Sequence, residues 1–207
     1  MGSDRTRREF IIRLEGLPPG ASEPFWKFSE PASWVIGGEA LLSGRPAKDL
    51  RGVAASLPKS ARTVSVSIGI GVSPWDTVAR QTAGGSGMSS MGRFGKSWTV
   101  SFARATEVDG RTTLSVTHTG KDAEVRVVAV DNEGAQHTGQ CRESSSTGAF
   151  SQMTVVFSGL PLAQAKEFQF QARPYQWVSF RQVSLEPGQR TAVAISAPPP
   201  VALTPER

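Results

Sequence analysis

Residues 62–72 read RTVSVSIGIGV: Val64, Val66, Ile68, Ile70 and Val72 are apolar, and Thr63, Ser65, Ser67, Gly69 and Gly71 between them are small or polar. In a helix those five apolar side chains would scatter around the axis, whereas in a strand all five project from one face. The segment is therefore read as a β-strand with one face against a core. The same period recurs on both sides of it. Phe10, Ile12 and Leu14 alternate with Ile11, Arg13 and Glu15, and Trp98, Val100 and Phe102 alternate with Thr99, Ser101 and Ala103. Leu114 and Val116 follow the turn pair Asp109 and Gly110, so residues 97–119 are read as a hairpin. Further strands are predicted over 123–131 (AEVRVVAVD), around Met153, Val155 and Phe157, at Phe168 and Phe170, over 176–185, and at Val193 and Ile195.

Nine or ten strands follow, separated mostly by Gly, Pro or Asp. The 21 Gly and 14 Pro in 207 residues favour many turns over long helices. Helical turns are expected only at 47–56 (AKDLRGVAAS) and 161–166 (PLAQAK). The fold class read from this pattern is all-β, an antiparallel β-sandwich of jelly-roll or immunoglobulin-like type. Residues 1–8 are read as a basic tail, 9–196 as the sandwich and 197–207 (APPPVALTPER from 197) as a Pro-rich extended tail. Thr82–Gly95 and Gly139–Gly148, rich in Gly and Ser, are expected to be flexible loops. Leu57 and Leu160 each precede a proline and lead into an alternating strand that ends near a Pro and a Trp. Two similar halves and two turns obeying the same chemistry are equal readings of that likeness.

Charge and cysteine content narrow the function classes. The net charge of +5 includes two positive charges from the first eight residues, where Arg5, Arg7 and Arg8 oppose Asp4. Beyond residue 8 basic and acidic side chains alternate, which lacks the one-sided basic face of a nucleic-acid binder. Cys141 is the only cysteine, so no disulfide forms within the chain. No apolar run approaches the roughly 20 residues of a membrane-spanning helix. As written the chain reads as soluble, cytoplasmic by default, without direct membrane insertion.

The chemistry-bearing residues do not form a catalytic motif. The zinc-protease pattern His-Glu-x-x-His, the phosphate loop and the nucleophile elbow are all missing. His118 falls in register with Leu114 and Val116, as a packed strand-end residue would. His137 and Cys141, with Asp131 nearby, fall short of the ligand number zinc takes. Asp131 to Gly134 (DNEG) reads as a hairpin turn rather than a calcium loop. No enzyme activity, metal or cofactor is therefore expected. The segment QARPYQWV at 171–178 is the most suggestive: Arg173, Tyr175 and Trp177 lie two apart and in extended chain share a face. Arg, Tyr and Trp together are the residue types that concentrate binding energy. Trp75, after Pro74, belongs with them. Against that stands a packing role, with the rings in the core and Arg173 over an aromatic face. The partner expected is a protein or a glycan.

The string LPLAQAKEFQFQARPYQWVSFRQVSLEPGQ, residues 160–189, resembles the C-terminal region of bacterial integral membrane metallopeptidases of the β-lactam-sensor type and of related regulatory proteins. PWDTVA, the Trp98–Phe102 strand, TTLSVTH and VRVVAVD are similar to the same regions in the same order, so the resemblance spans most of residues 9–190. The family's zinc protease lies in a membrane part that nothing here matches. The resemblance implies a non-catalytic accessory or sensor domain, extracytoplasmic in its relatives, and carries over no catalytic residue. A carbohydrate-binding or adhesion module using Trp75, Tyr175 or Trp177 is the second expectation, and an enzyme with an unrecognised site the third.

Overall fold

A computed structural model describes residues 4–29, 35–42, 45–186 and 194–196. The chain divides into two compact units, one formed by Pro74–Pro174 and the other by Met1–Ser73 with Tyr175–Arg207. All strand pairs are antiparallel. The all-β, sandwiched architecture read from the alternation is what the structure has.

The Pro74–Pro174 unit is itself a sandwich. Its first sheet runs β13 (Gln140–Thr147), β14 (Phe150–Ser158), β10 (Arg111–His118), β8 (Lys96–Phe102) and β7 (Gly87–Arg93), with β9 (Thr106–Val108) also on β10. The second runs β12 (Gln136–Thr138), β11 (Ala123–Asp131), the first half of β15 (Ala165–Ser184) and β6 (Asp76–Thr82). Alternate residues of both sheets meet in one core. Trp98, Val100, Phe102, Leu114, Val116, Val155 and Phe157 come from the first sheet, and Val78, Val127, Ala129, Phe168 and Phe170 from the second. Thr112, fully buried, donates its hydroxyl to the Leu160 carbonyl at 2.7 Å, so its polar group enters the core already paired.

The second unit packs a sheet of β1 (Arg5–Arg13), β4 (Arg45–Pro58) and β3 (Val35–Leu42) with one of β2 (Phe25–Phe28), β5 (Thr63–Gly71), the second half of β15 and β16 (Ala194–Ser196). Its core joins Val53, Ala55 and Leu57 of β4 to Val64, Val66 and Ile68 of β5, with Trp26 and Leu185. A bulge between Phe180 and Val183, where Gln182 has a φ of 59°, shifts the register of β15. Phe180 and Val183 lie three apart, which in plain alternation would oppose them. The bulge lets both pack on the core.

Several elements depart from their sequence-based readings. There are sixteen strands among the described residues, not nine or ten. Residues 47–56 belong to β4, not to a helical turn, because pairing with β1 on one side and β3 on the other overrides the helix propensity of their alanines. The turn expected within 161–166 is there, as a 3-10 turn over Leu162–Gln164. The chain is in strand from Arg5, so the basic segment 1–8 is no free tail over its described residues: Arg5 to Arg8 pair with Pro58 to Ala55. The two Gly/Ser-rich segments hold β7 and β13 rather than long flexible loops. β7 is turned back onto β8 by Phe94 and Gly95, both at positive φ as a tight two-residue hairpin requires. β13 is exposed along its whole length and pairs with β14 through backbone and the Ser146 hydroxyl, which leaves no apolar period to read. Phe168, Phe170 and all of the predicted 176–185 except Leu185 are one strand, β15. Val193 and the 197–207 tail lie outside the described residues. No helix among the described residues is long and apolar enough to cross a membrane.

Phe170 is fully buried, with ring centres of Trp98 at 6.2 Å and His118 at 4.9 Å. Phe170→Ala should lower stability by about 3–5 kcal/mol, read as a drop in the urea midpoint.

Candidate functional site

In the Pro74–Pro174 unit, Glu124 and Arg126 alternate with Val125 and Val127 along β11, and Gln169, Gln171 and Arg173 alternate with Phe168, Phe170 and Ala172 along β15. The apolar set fills the core, so the polar set lies on the opposite face of the sheet. Register places Glu124 across from Arg173, Arg126 across from Gln171, and Thr77 of β6 across from Gln171 on its other side. A chain of side-chain hydrogen bonds results. Arg126 Nε donates to Gln171 Oε1 at 2.9 Å, Gln171 Nε2 to Gln169 Oε1 at 2.9 Å, and Gln169 Nε2 to Glu167 Oε1 at 2.6 Å. Arg173 Nε donates to Glu124 Oε2 at 2.6 Å.

Trp75 covers this network. The guanidinium carbons of Arg126 and Arg173 lie 4.2 and 4.4 Å from the centre of its ring system. Arg173 is only 7% exposed, while Arg126 and Trp75 are half-buried. Each stacking contact contributes about 0.5–1 kcal/mol where exposed and up to about 2 kcal/mol where desolvated. Burial first, then the positive charge of Arg173, pulls the Arg126 pKa below the usual arginine range, with Glu124 acting the other way. Arg126 remains charged at neutral pH.

The other unit carries an aromatic cluster of different design. Phe25 of β2 lies across from Gly69 of β5, and Gly69 across from Trp177 of β15. The glycine leaves a gap that the neighbouring rings fill: a Cβ there would sit 3.0 Å from Tyr175 Cβ and 3.1 Å from two ring carbons of Trp177. Phe25 stacks on Tyr175 at 5.4 Å with planes 10° apart, and Trp177 meets both edge-on. Lys27 Nζ lies 4.2 Å from the Trp177 ring centre. Phe25, 46% exposed, also borders an open cleft of about 670 Å³ with Trp26, Val35 and the paired Glu23 and Arg51. Phe25 and Tyr175 face each other and Trp177 stands across them, so the three rings do not make one flat strip.

The histidines are held separately. His118 is buried against Phe170, and its Nδ1 has no hydrogen-bond partner. Burial lowers its pKa below the ordinary 6.5, opposed by a hydrogen bond to the Gly120 backbone. His137 Nε2 lies 2.7 Å from Asp131 Oδ2, which holds the Asp131 carboxyl below its ordinary range. Asp131 Oδ1 accepts the backbone N–H groups of Glu133 and Ala135, and Gly134 has a φ of 88°, so DNEG is the hairpin turn its sequence suggests. Cys141 is exposed, its thiol 3.4 Å from the Glu143 carbonyl. No three His, Cys, Asp or Glu side chains gather as a metal site would require among the described residues.

Of the residues singled out from sequence, the structure joins Trp75 to Arg173 in one unit and Tyr175 to Trp177 in the other. Phe25, Lys27 and Arg126 were not foreseen. Their signals lay in FWKF, where Phe25 and Lys27 alternate with Trp26 and Phe28, and in AEVRVVAVD, where charges alternate with valines. Compared with protein-family models, curated proteins and solved structures, the chain finds no significant match.

Gly69→Val should overfill the gap beneath Tyr175 and Trp177 and cost about 1–3 kcal/mol, with a changed tryptophan emission spectrum. Burial makes His118 harder to protonate in the fold, while the unfolded chain takes up a proton near pH 6.5. The unfolded state then binds more protons below that pH, so His118's contribution to stability is full above about 6.5 and declines as the pH falls below it. Melting temperatures measured from pH 7.5 to 5 should fall, and His118→Leu should flatten that dependence.

Proposed function

We propose that this chain is a non-catalytic sensor or interaction domain of a bacterial regulatory or cell-envelope system. The observation that carries the reading is the pair of guanidinium groups laid on the Trp75 ring, on a sheet face turned away from the core. Arg173 over an aromatic ring is also what a packing role expects; Arg126, the second guanidinium on the ring, goes beyond it. Glu124 offsets the charge of Arg173, and a bound partner of opposite charge would offset that of Arg126. The aromatic cluster of Phe25, Tyr175 and Trp177 with Lys27 adds a second surface of the side-chain types that dominate binding energy. The likeness of residues 160–189 to the accessory region of sensor-type membrane metallopeptidases supports the same role, as does the order of the shorter motifs before it. The protease part of that family has no counterpart in this sequence.

The test is a thermal-shift and mass-spectrometry screen of the full chain against peptidoglycan fragments and soluble glycans. A binder should raise the melting temperature saturably and be recovered chemically unchanged, and Trp75→Ala should abolish that shift. Conversion of the ligand with turnover would overturn the non-catalytic reading. A shift confined to neutral glycans and lost in Trp177→Ala would favour the carbohydrate module instead.

A further inference from the structure

The Trp75 site has a charge imbalance that names the chemistry of its ligand. Four arginines surround it. Arg173 has Glu124 at 2.6 Å, Arg93 has Asp76 at 3.0 Å, and Arg80 has Glu167 at 3.6 Å. Arg126 has no carboxylate within ion-pair distance among the described residues. Its one side-chain hydrogen bond there, from Nε to Gln171, goes to a neutral acceptor, which leaves both Nη groups unused. A half-buried guanidinium held at Nε and lying over an indole ring presents its outer fork in a set orientation. That fork matches a planar two-oxygen acceptor and forms two parallel hydrogen bonds with it.

We propose that Arg126, held against Trp75 beside the Arg173–Glu124 pair, is the receptor for a ligand's carboxylate group. The proposal rests on the binding reading above and specifies its ligand class. A singly charged carboxylate neutralises the one unmatched cation, whereas a phosphate ester, carrying close to two negative charges, would leave an excess facing Glu124 and Glu167. Trp75 also borders a shallow, mainly polar depression of about 610 Å³ lined by Asp76, Thr77, Arg80, Ser89 and Arg93 with Met91. The exposed part of Trp75, beside Arg126, gives an apolar group adjoining the carboxylate a surface to lie on. Acidic peptides with a free C-terminus and small organic acids share this chemistry.

The experiment is an NMR titration of the ¹⁵N-labelled full chain, following the Trp indole N–H and Arg Nε–H signals at constant ionic strength. Substitutions Trp75→Phe and Arg126→Gln assign the two signals. N-acetylalanine should shift both saturably, and N-acetylalaninamide should bind at least tenfold more weakly. Acetate, which lacks the apolar body, should bind more weakly than N-acetylalanine; equal binding would overturn the role of the Trp75 surface. Arg126→Gln should lose the response of the Trp75 signal. Arg126→Lys, which keeps the charge and loses the fork, should weaken binding several-fold. Equal binding of the amide, stronger binding of inorganic phosphate than of N-acetylalanine, or an unchanged affinity in Arg126→Lys would each overturn the assignment. Failure here with an envelope fragment still bound unchanged elsewhere would remove the carboxylate receptor and leave the binding role standing. Turnover of a fragment would remove that role and leave the receptor.

Discussion

Side chains of β15 point alternately to opposite faces as far as the bulge after Phe180, and most of what is distinctive in this protein follows from that one constraint. The strand is interior to a sheet in each unit, pairing with β11 and β6 over its first half and with β5 and β16 over its second. Phe168, Phe170 and Ala172 enter the core of one sandwich, and Phe180 and Val183 pack on that of the other. The residues between them are thereby forced outward. Gln169, Gln171 and Arg173 have no core to enter, and they arrive on the outer face as a polar ladder. The chemistry of the candidate site is a consequence of where the apolar residues had to go.

That ladder is buried without being apolar, which requires every donor to have a direction. Arg173 is fixed by Glu124, and the Gln171–Gln169–Glu167 relay gives each amide a partner. In a medium of reduced polarity such linked hydrogen bonds reinforce one another, and an unpaired member is costly. Trp75 completes the arrangement by shielding the guanidinium groups from water while its ring face attracts them. Rigidity of this kind suits recognition, because little side-chain freedom is left to lose when a ligand arrives.

The two units solve the same packing problem with different side chains. The Pro74–Pro174 unit fills its interior with large rings, Trp98, Phe157, Phe168 and Phe170, and places charged groups outside. The other keeps small residues along the outer face of β5, where Ser67 shares a hydrogen bond with Ser179 and Gly69 gives room for the rings of its neighbours. There the aromatic side chains serve the outside of the sheet as well as its core. Phe25, Tyr175 and Trp177 cover backbone that glycine leaves bare.

The period-two pattern by itself determined the all-β architecture, the face each strand of the core turns inward, and the turns at Asp109 and at Asp131 to Gly134. Those are local matters, decided by side-chain alternation and by residues that tolerate positive φ. It also pointed to Trp75, Arg173, Tyr175 and Trp177 as worth attention. The strands at 47–56, 87–93 and 140–147 were hidden, because strand formation there depends on a neighbour's backbone rather than on the segment's own side chains. Hidden too were Arg126 and Phe25. Arg126 stands 51 residues from Trp75 in sequence, and only the pairing of β11 with β15 and of β15 with β6 brings the two together. Contacts across strands are set by register, and register was settled by the closing of the whole sandwich.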